Sequence, residues 1–309
     1  MDTFGSPREL LNAYRNGFEG SVCDPKETAE LLAELKTPLF GATAYRLYGS
    51  GENKLSLPFK SLMKFDPNFG PSERQTTGDC VSHSTRNAID ITRAVEIDVK
   101  GESESFEARG ATEAIYQSRG HKRQGMTCSG AAKYVNSHGG ILVRKDYGSV
   151  DLSKYNSTLG AKHQVPFEVY VKEARKHQVK TISMITTVDE ARDALSNGYA
   201  ISVCSGYGFS SRRDSKGIAK RGSGWSHAMA WIACDDTGER YKETLFLVQN
   251  SWGKWNSGPK VHGQPDGSFW IREKDARGML AQQGSWVFSD VDGFPARNLP
   301  NYGTTSYLG

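Results

Sequence analysis

Apolar residues recur at helical spacing near the start of the chain and in short alternating runs far downstream, and this change of period divides it. "SPRELLNAYRNGF" opens with a Ser-Pro pair suited to a helix cap and first turn, and "DPKETAELLAELK" repeats the pattern with Asp-Pro and leucines at helical intervals. Both predict helices within residues 1 to about 50. From Leu55 to Thr77 the chain is rich in Pro, Gly and Asn and reads as extended. Val81, Ala88, Ile91 and Val95 then fall at mostly helical intervals and predict a helix beginning at Cys80. Two more follow, near "EARGATEAIYQSRG" and "SGAAKYVNSHGG", the latter stopping at Gly139-Gly140.

Beyond this helical half, "KTISMI", "YAISVCSG", "SHAMAWIACDD", "TLFLVQNSW" and "GSFWIRE" are short apolar or alternating runs parted by Gly, Asn and Asp, and they predict strands. One helix, "TVDEARDALSNG", interrupts them, with Thr187 as cap, Glu190 completing a capping box and Gly198 as stop. Helices first and strands afterwards predict an α+β architecture and not alternating βαβ units. The tail "GFPARNLPNYGTTSYLG" is poor in apolar residues and reads as an extended arm.

Composition changes this picture little. The 309 residues are 37% hydrophobic and 24% charged, enough for a sizeable core. No run approaches the roughly 18 apolar residues of a membrane span, and "MDTFGSPREL" lacks the features of a signal peptide, so a cytoplasmic location is expected, with no membrane or nucleic-acid partner. Net charge is only +4, but "GHKRQG" and "SSRRDSKGIAKR" concentrate basic residues, read as solvated loops or as a surface for an acidic partner. The five cysteines, Cys23, Cys80, Cys128, Cys204 and Cys234, are odd in number and widely spaced. They read as reduced thiols, with Cys128, Cys204 and Cys234 as packing residues, and no metal or cofactor is expected.

Chemistry enters with Cys80. A thiol is nucleophilic as its thiolate, and the unpaired N–H groups of a first helical turn favour that form. His227 stands among small and apolar residues on an expected buried strand, where an imidazole needs a partner. Asn250 ends another such strand, and Gln75 precedes Cys80 by a short loop. Together these are the parts of a cysteine acyl-transfer site: nucleophile, base, orienter and oxyanion donor. His83 shares a helix face with Cys80 and is a rival base, but a protonated imidazole in a first turn opposes the helix dipole. Asp79 is read as the cap of this helix, the other reading being that its negative charge raises the pKa of the thiol.

The set and its order resemble the papain-like cysteine peptidases over roughly residues 55 to 291. "GDCVSHS" is similar to that family's cysteine and helix start, "QGMTCSGAAKYVNSHGG" to its glycine segment, "SHAMAWI" to its histidine strand, and "QNSWG" with "DGSFWIRE" to its asparagine motif and following strand. His227 lies within the roughly 130 to 150 residues downstream of the cysteine that the family allows, and Asn250 lies beyond, placed there by a longer "GERYKET" hairpin. The resemblance implies Cys80 as nucleophile, His227 as base and acid, Asn250 as orienter, and Gln75 with the Cys80 N–H as oxyanion donors. Trp252 would cover the Asn–His bond, Gly125 would pair with substrate, and Met126 and Ala228 would line the neighbouring pocket. Gln75 stands one residue closer to the cysteine than the family's pattern, and Val81 replaces an aromatic residue.

The implied fold is two-lobed: a helical lobe at about 78–145 with a long helix starting at the catalytic cysteine, an antiparallel barrel-like lobe at about 146–292, and a cleft between them. Residues 1–54 would be a helical extension unlike the family's usual inhibitory pro-segment, 55–292 the peptidase domain, and 293–309 a tail. The implied activity is endopeptidase cleavage of a polypeptide through a thioester. Two alternatives stand beside it: a peptidoglycan-cleaving amidase or endopeptidase, and a structural or virion component with an assembly partner at the N-terminal region or tail.

Overall fold

In the computed structural model, residues 3–69, 73–100, 105–297 and 299–303 are described. Helices α1 (Pro7–Arg15) and α2 (Pro25–Glu34) start as the sequence directs. Ser6 Oγ accepts the Glu9 N–H at 3.2 Å, Asp24 Oδ1 accepts those of Lys26 and Glu27 at 2.9 and 3.1 Å, and proline fills a first-turn position whose N–H would go unused. Between them strand β1 (Ser21–Val22) runs parallel to β3 (Met126–Thr127).

The centre of the helical half is α3 (Cys80–Lys100). It is buried on every side from Cys80 to Glu96, so its polar residues require partners. Asp90 accepts Arg109 Nε at 2.6 Å and the Gly110 N–H at 3.0 Å, Glu73 binds Arg86 and Arg144, and Arg144 also reaches Glu113. This web fixes the helix that presents Cys80. Helix α4 (Cys128–His138) is capped by Thr127 and ends at Gly139, whose φ of 70° a side chain would oppose.

The second half is an open antiparallel sheet in the order β10-β9-β8-β5-β11-β4, with β2 (Leu55–Ser56) also paired to β8. The strands are β4 (Thr181–Met184), β5 (Ile201–Ser205), β8 (His227–Asp235), β9 (Leu245–Gln249), β10 (Ser268–Arg272) and β11 (Ser285–Ser289). One apolar cluster fills the space between α3 and the sheet, and a second packs beneath the opposite face. The α+β expectation is met, with an open sheet in place of a closed barrel.

Several expectations are corrected. Residues 55–77 are not all extended: Phe59–Phe65 is a helix that buries Phe59 and Leu62 against the core, which outweighs the surrounding Pro and Asn. The basic "SSRRDSKGIAKR" stretch belongs to a hairpin, β6 (Phe209–Arg213) and β7 (Ala219–Arg221), with Arg213 buried and donating to Asn256 and to the carbonyls of Gly258, Pro259 and Ser268. Helix Glu273–Leu280 and strand β11 carried no clear sequence signal. The described parts of the tail, 293–297 and 299–303, lie on the body, with Phe294 and Arg297 buried and Tyr302 N–H donating to Leu55 O at 3.0 Å; residues 298 and 304–309 lie outside the described residues.

The largest correction concerns the cysteines. Cys128 and Cys204 form a disulfide across a 76-residue separation, where single packing thiols were expected. The fold brings the start of α4 and the end region of β5 together with Cα atoms 6.2 Å apart, within disulfide reach, a proximity that spacing along the chain does not reveal. Cys23, Cys80 and Cys234 are free thiols. Among the described residues no helix is long and apolar enough to cross a membrane, and no group of three or more His, Cys, Asp or Glu could hold a metal ion.

Candidate active site

Cys80 opens α3 and faces the start of β8. Its sulfur accepts the Ala228 N–H at 3.4 Å, so the thiol lies against the residue that follows His227. His227 Nε2 is 2.8 Å from Asn250 Oδ1, and Asn250 stands just beyond the end of β9, the strand hydrogen-bonded to β8. The His227 Nδ1 is buried without a hydrogen-bond partner. Trp252 lies over the imidazole with ring centroids 4.8 Å apart, and Trp225 packs against Trp252 at 4.9 Å. The fold thus brings Cys80, His227, Asn250 and Trp252 together from positions far apart in the chain.

Gln75 joins them. Its backbone N–H donates to Ser251 O at 2.9 Å, its Oε1 accepts from Ser251 Oγ at 2.5 Å and Trp252 Nε1 at 3.1 Å, and its Nε2 donates to Thr77 O at 2.8 Å. With its oxygen held twice, the amide nitrogen has a second N–H beyond the one it gives to Thr77. Asp79 does not cap α3 with its side chain: the carboxylate accepts from Tyr155 Oη at 2.7 Å and lies 3.4 Å from His83 Nε2. The alternative effect holds, because its charge opposes a thiolate at Cys80. His83 is occupied with Asp79, Arg86 and the Tyr155 ring.

The cleft is filled by the chain's own N-terminal segment. Gly20 and Ser21 donate their N–H groups to Ser226 O at 2.9 and 2.8 Å, next to His227, and Met126 N–H donates to Gly20 O at 3.2 Å. A Cβ on Gly20 would stand 2.9 Å from the Cys80 sulfur and in collision with the Tyr14 hydroxyl, so only glycine lets the backbone pass here. A Cβ on Gly125 would meet Glu19 O at 2.5 Å, which shows how closely the segment lies on that glycine. Tyr14 is packed on the His227 ring at 4.6 Å and the Trp252 ring at 5.2 Å. Its hydroxyl lies against the Cys80 thiol and the Gln75 amide without a well-formed hydrogen bond to either. Phe18 packs edge-on to Tyr14 at 5.1 Å.

This covering excludes water and sets the charge state. Burial pushes the Cys80 thiol up to about 12 and lowers His227 to about 3, so the two stand as neutral thiol and neutral imidazole. Of the proposed substrate contacts, Gly125 and Met126 touch the covering segment, Ala228 touches the thiol, and Trp252 covers the imidazole. Tyr14, Phe18, Gly20 and Ser226 were not singled out from the sequence. Tyr14 lies on the buried face of α1 with Leu10, which along the chain reads as ordinary packing.

No protein-family model matches the chain, and no curated protein does. The structure resembles that of xylellain, a cysteine protease from Xylella fastidiosa, with a TM-score of 0.53 and 18% identity over 77% of this chain and 86% of that one. A ragweed pollen cysteine protease allergen in its proform is matched at a TM-score of 0.49 and 13% identity, covering 92% of this chain and 76% of that one. ProCathepsin B S9 from Trypanosoma congolense is matched at 0.46 and 13%, covering 91% and 88%. The chain has the papain-like fold.

Proposed function

We propose that this protein is a cysteine endopeptidase whose cleft is closed by its own N-terminal segment. The observation that carries the reading is the 2.8 Å contact between His227 Nε2 and Asn250 Oδ1, with the other ring nitrogen left unpaired in the buried site that holds Cys80. A carboxamide oxygen only accepts, so Nε2 holds the ring proton and Nδ1 keeps a lone pair for the thiol proton. The cysteine protease named among the similar structures agrees with this reading.

Once the segment is displaced, the Cys80 proton passes to His227 Nδ1 and the thiolate attacks a peptide carbonyl. The oxyanion is held by the Cys80 N–H and the Gln75 amide. Collapse expels the amine, which takes the proton from His227, and leaves a thioester on Cys80. His227 then accepts a proton from water, the hydroxide attacks the thioester, and acid and free thiol are released. Asn250 holds the imidazole plane throughout, under Trp252.

Labelling with an alkylating epoxide tests this. In a Tyr14→Ala protein, whose cleft is opened, Cys80 becomes modified and the modification falls sharply with His227→Ala. Absence of labelling at Cys80, or labelling indifferent to His227, overturns the peptidase reading.

A further inference from the structure

A free thiol lies beside a disulfide at the edge of the filled cleft. β1 and β3 are parallel with Ser21 opposite Met126 and Val22 opposite Thr127, so the next pair in this register is Cys23 and Cys128. Cys128 is already joined to Cys204. On the far side, a Cβ on Gly284 would stand 3.1 Å from Cys204 Cβ and 3.2 Å from Cys23 Sγ, so only a glycine separates the free thiol from the second half of the disulfide. Cys204 N–H donates to Gly284 O at 3.0 Å, which holds that glycine in place. Cys23 is exposed and carries the only free thiol of the segment that covers Cys80.

From this geometry we infer that Cys23 exchanges with the Cys128–Cys204 disulfide and thereby fastens the N-terminal segment covalently into the cleft. The Cys23 thiolate attacks one sulfur of the pair. The Cys128–Cys204 bond breaks, a bond from Cys23 to the attacked sulfur forms, and the departing sulfur leaves as a thiolate that takes up the proton Cys23 gave up. Electrons balance within the three sulfurs, and no outside oxidant takes part. Before exchange the disulfide ties the helical half to the sheet and the segment is held by non-covalent contacts alone. After exchange the tie between the halves is gone and the segment cannot leave. A dithiol reductant frees all three thiols and the segment with them. The inference rests on the segment's place in the cleft and is independent of peptidase activity.

The test uses the full chain carrying Cys80→Ser, which removes the one other thiol near the segment. The protein is held natively at neutral pH for a day, since uncatalysed exchange takes minutes to hours, then quenched in acid, alkylated and digested with trypsin without reduction. Peptide 16–26 is expected joined to 124–133 or to 193–212, and each joined molecule releases one alkylatable thiol at Cys204 or Cys128. Adding Cys23→Ser abolishes both products. Recovery of 16–26 wholly alkylated at Cys23, with 124–133 still joined to 193–212, overturns the exchange. If joined molecules form but hydrogen exchange of residues 19–22 is no slower in them, the fastening is overturned. Neither outcome depends on whether Cys80 is a nucleophile.

Discussion

Asn250 Oδ1 stands 2.8 Å from His227 Nε2 as its hydrogen-bond acceptor while also accepting the Ser251 N–H at 2.7 Å. An oxygen already held by its own backbone turn is a fixed acceptor, and it dictates the tautomer of the imidazole. Asn250→Ala removes that constraint, so the ring can turn or shift its proton to Nδ1. In the protein opened by Tyr14→Ala, the proposed peptide cleavage is expected to fall about 100-fold, within the range of acid-base catalysis, with a smaller change in KM. A KM rise with kcat unchanged would place Asn250 in substrate binding instead.

Cys80→Ser and His227→Ala are expected to abolish cleavage, and His83→Ala to leave most of it. His83 sits one helical turn from Cys80, yet its Nε2 is 3.4 Å from Asp79 and its ring packs on Tyr155, so it is engaged elsewhere. Steady-state assays on the three variants decide the matter. A loss with His83→Ala equal to that with His227→Ala would show that the wrong imidazole has been assigned as base.

Tyr14 holds the covering segment by packing edge-on to His227 and at a tilt against Trp252. Truncating a buried aromatic side chain costs about 3 to 5 kcal/mol, and here most of the loss falls on the contact between segment and cleft. Tyr14→Ala is expected to speed epoxide labelling of Cys80 by about 100-fold or more, since each 1.4 kcal/mol is a tenfold change in the open population. Gly20→Ala acts in the same direction, because its methyl would enter the space of the Cys80 sulfur. Labelling rates unchanged in both variants would show that the segment does not control access.

The filled cleft is most stable in a window of pH. His227 is lowered from 6.5 to about 3 by burial, so closure is favoured above pH 6.5 and loses that advantage as the pH falls from 6.5 towards 3. Cys80 is raised from 9.0 to about 12, so closure also loses stability as the pH rises through that range. Each pH unit inside either range is worth up to about 1.4 kcal/mol. Hydrogen exchange of residues 14–22, corrected for its intrinsic pH dependence, is expected to be slowest between pH 6.5 and 9. A monotonic profile from pH 4 to 10 contradicts this.

Asp90 anchors α3 from within the core, fully buried against Arg109 and the Gly110 N–H. Asp90→Ala leaves a buried guanidinium without its main partner and is expected to cost about 3 to 5 kcal/mol in denaturant unfolding. Loss of less than about 1 kcal/mol would mean that Asp66 and Asn87, which also bind Arg109, suffice to hold it.

Local chemistry made much of the chain readable. Ser6, Asp24, Thr127 and Thr187 each cap a helix because a short side-chain oxygen meets a free N–H of the first turn, and Gly139 ends one because its φ is positive. The apolar runs around His227 and before Asn250 announced buried strands, and the order of Cys80, His227 and Asn250 announced a site. These signals lie within a few residues of one another, or in the order of segments along the chain.

What lay beyond reach depends on contacts between distant segments. Nothing in "NAYRNGFEGSV" states that Tyr14 will rest on His227 or that Gly20 will pass over Cys80, because an amphipathic helix buries its tyrosine in the same way against any apolar surface. The Asp79 carboxylate had two local options, and the position of Tyr155 chose between them. Cys128 and Cys204 read as single thiols until the fold joined the start of α4 to β5, and the parallel pairing of β1 with β3 set Cys23 next in register to Cys128. Local patterning announced most of the helices and strands and nominated Cys80, His227 and Asn250; the filling of the cleft and the pairing of Cys128 with Cys204 emerge only when distant segments pack, because both depend on distances that spacing along a chain does not encode.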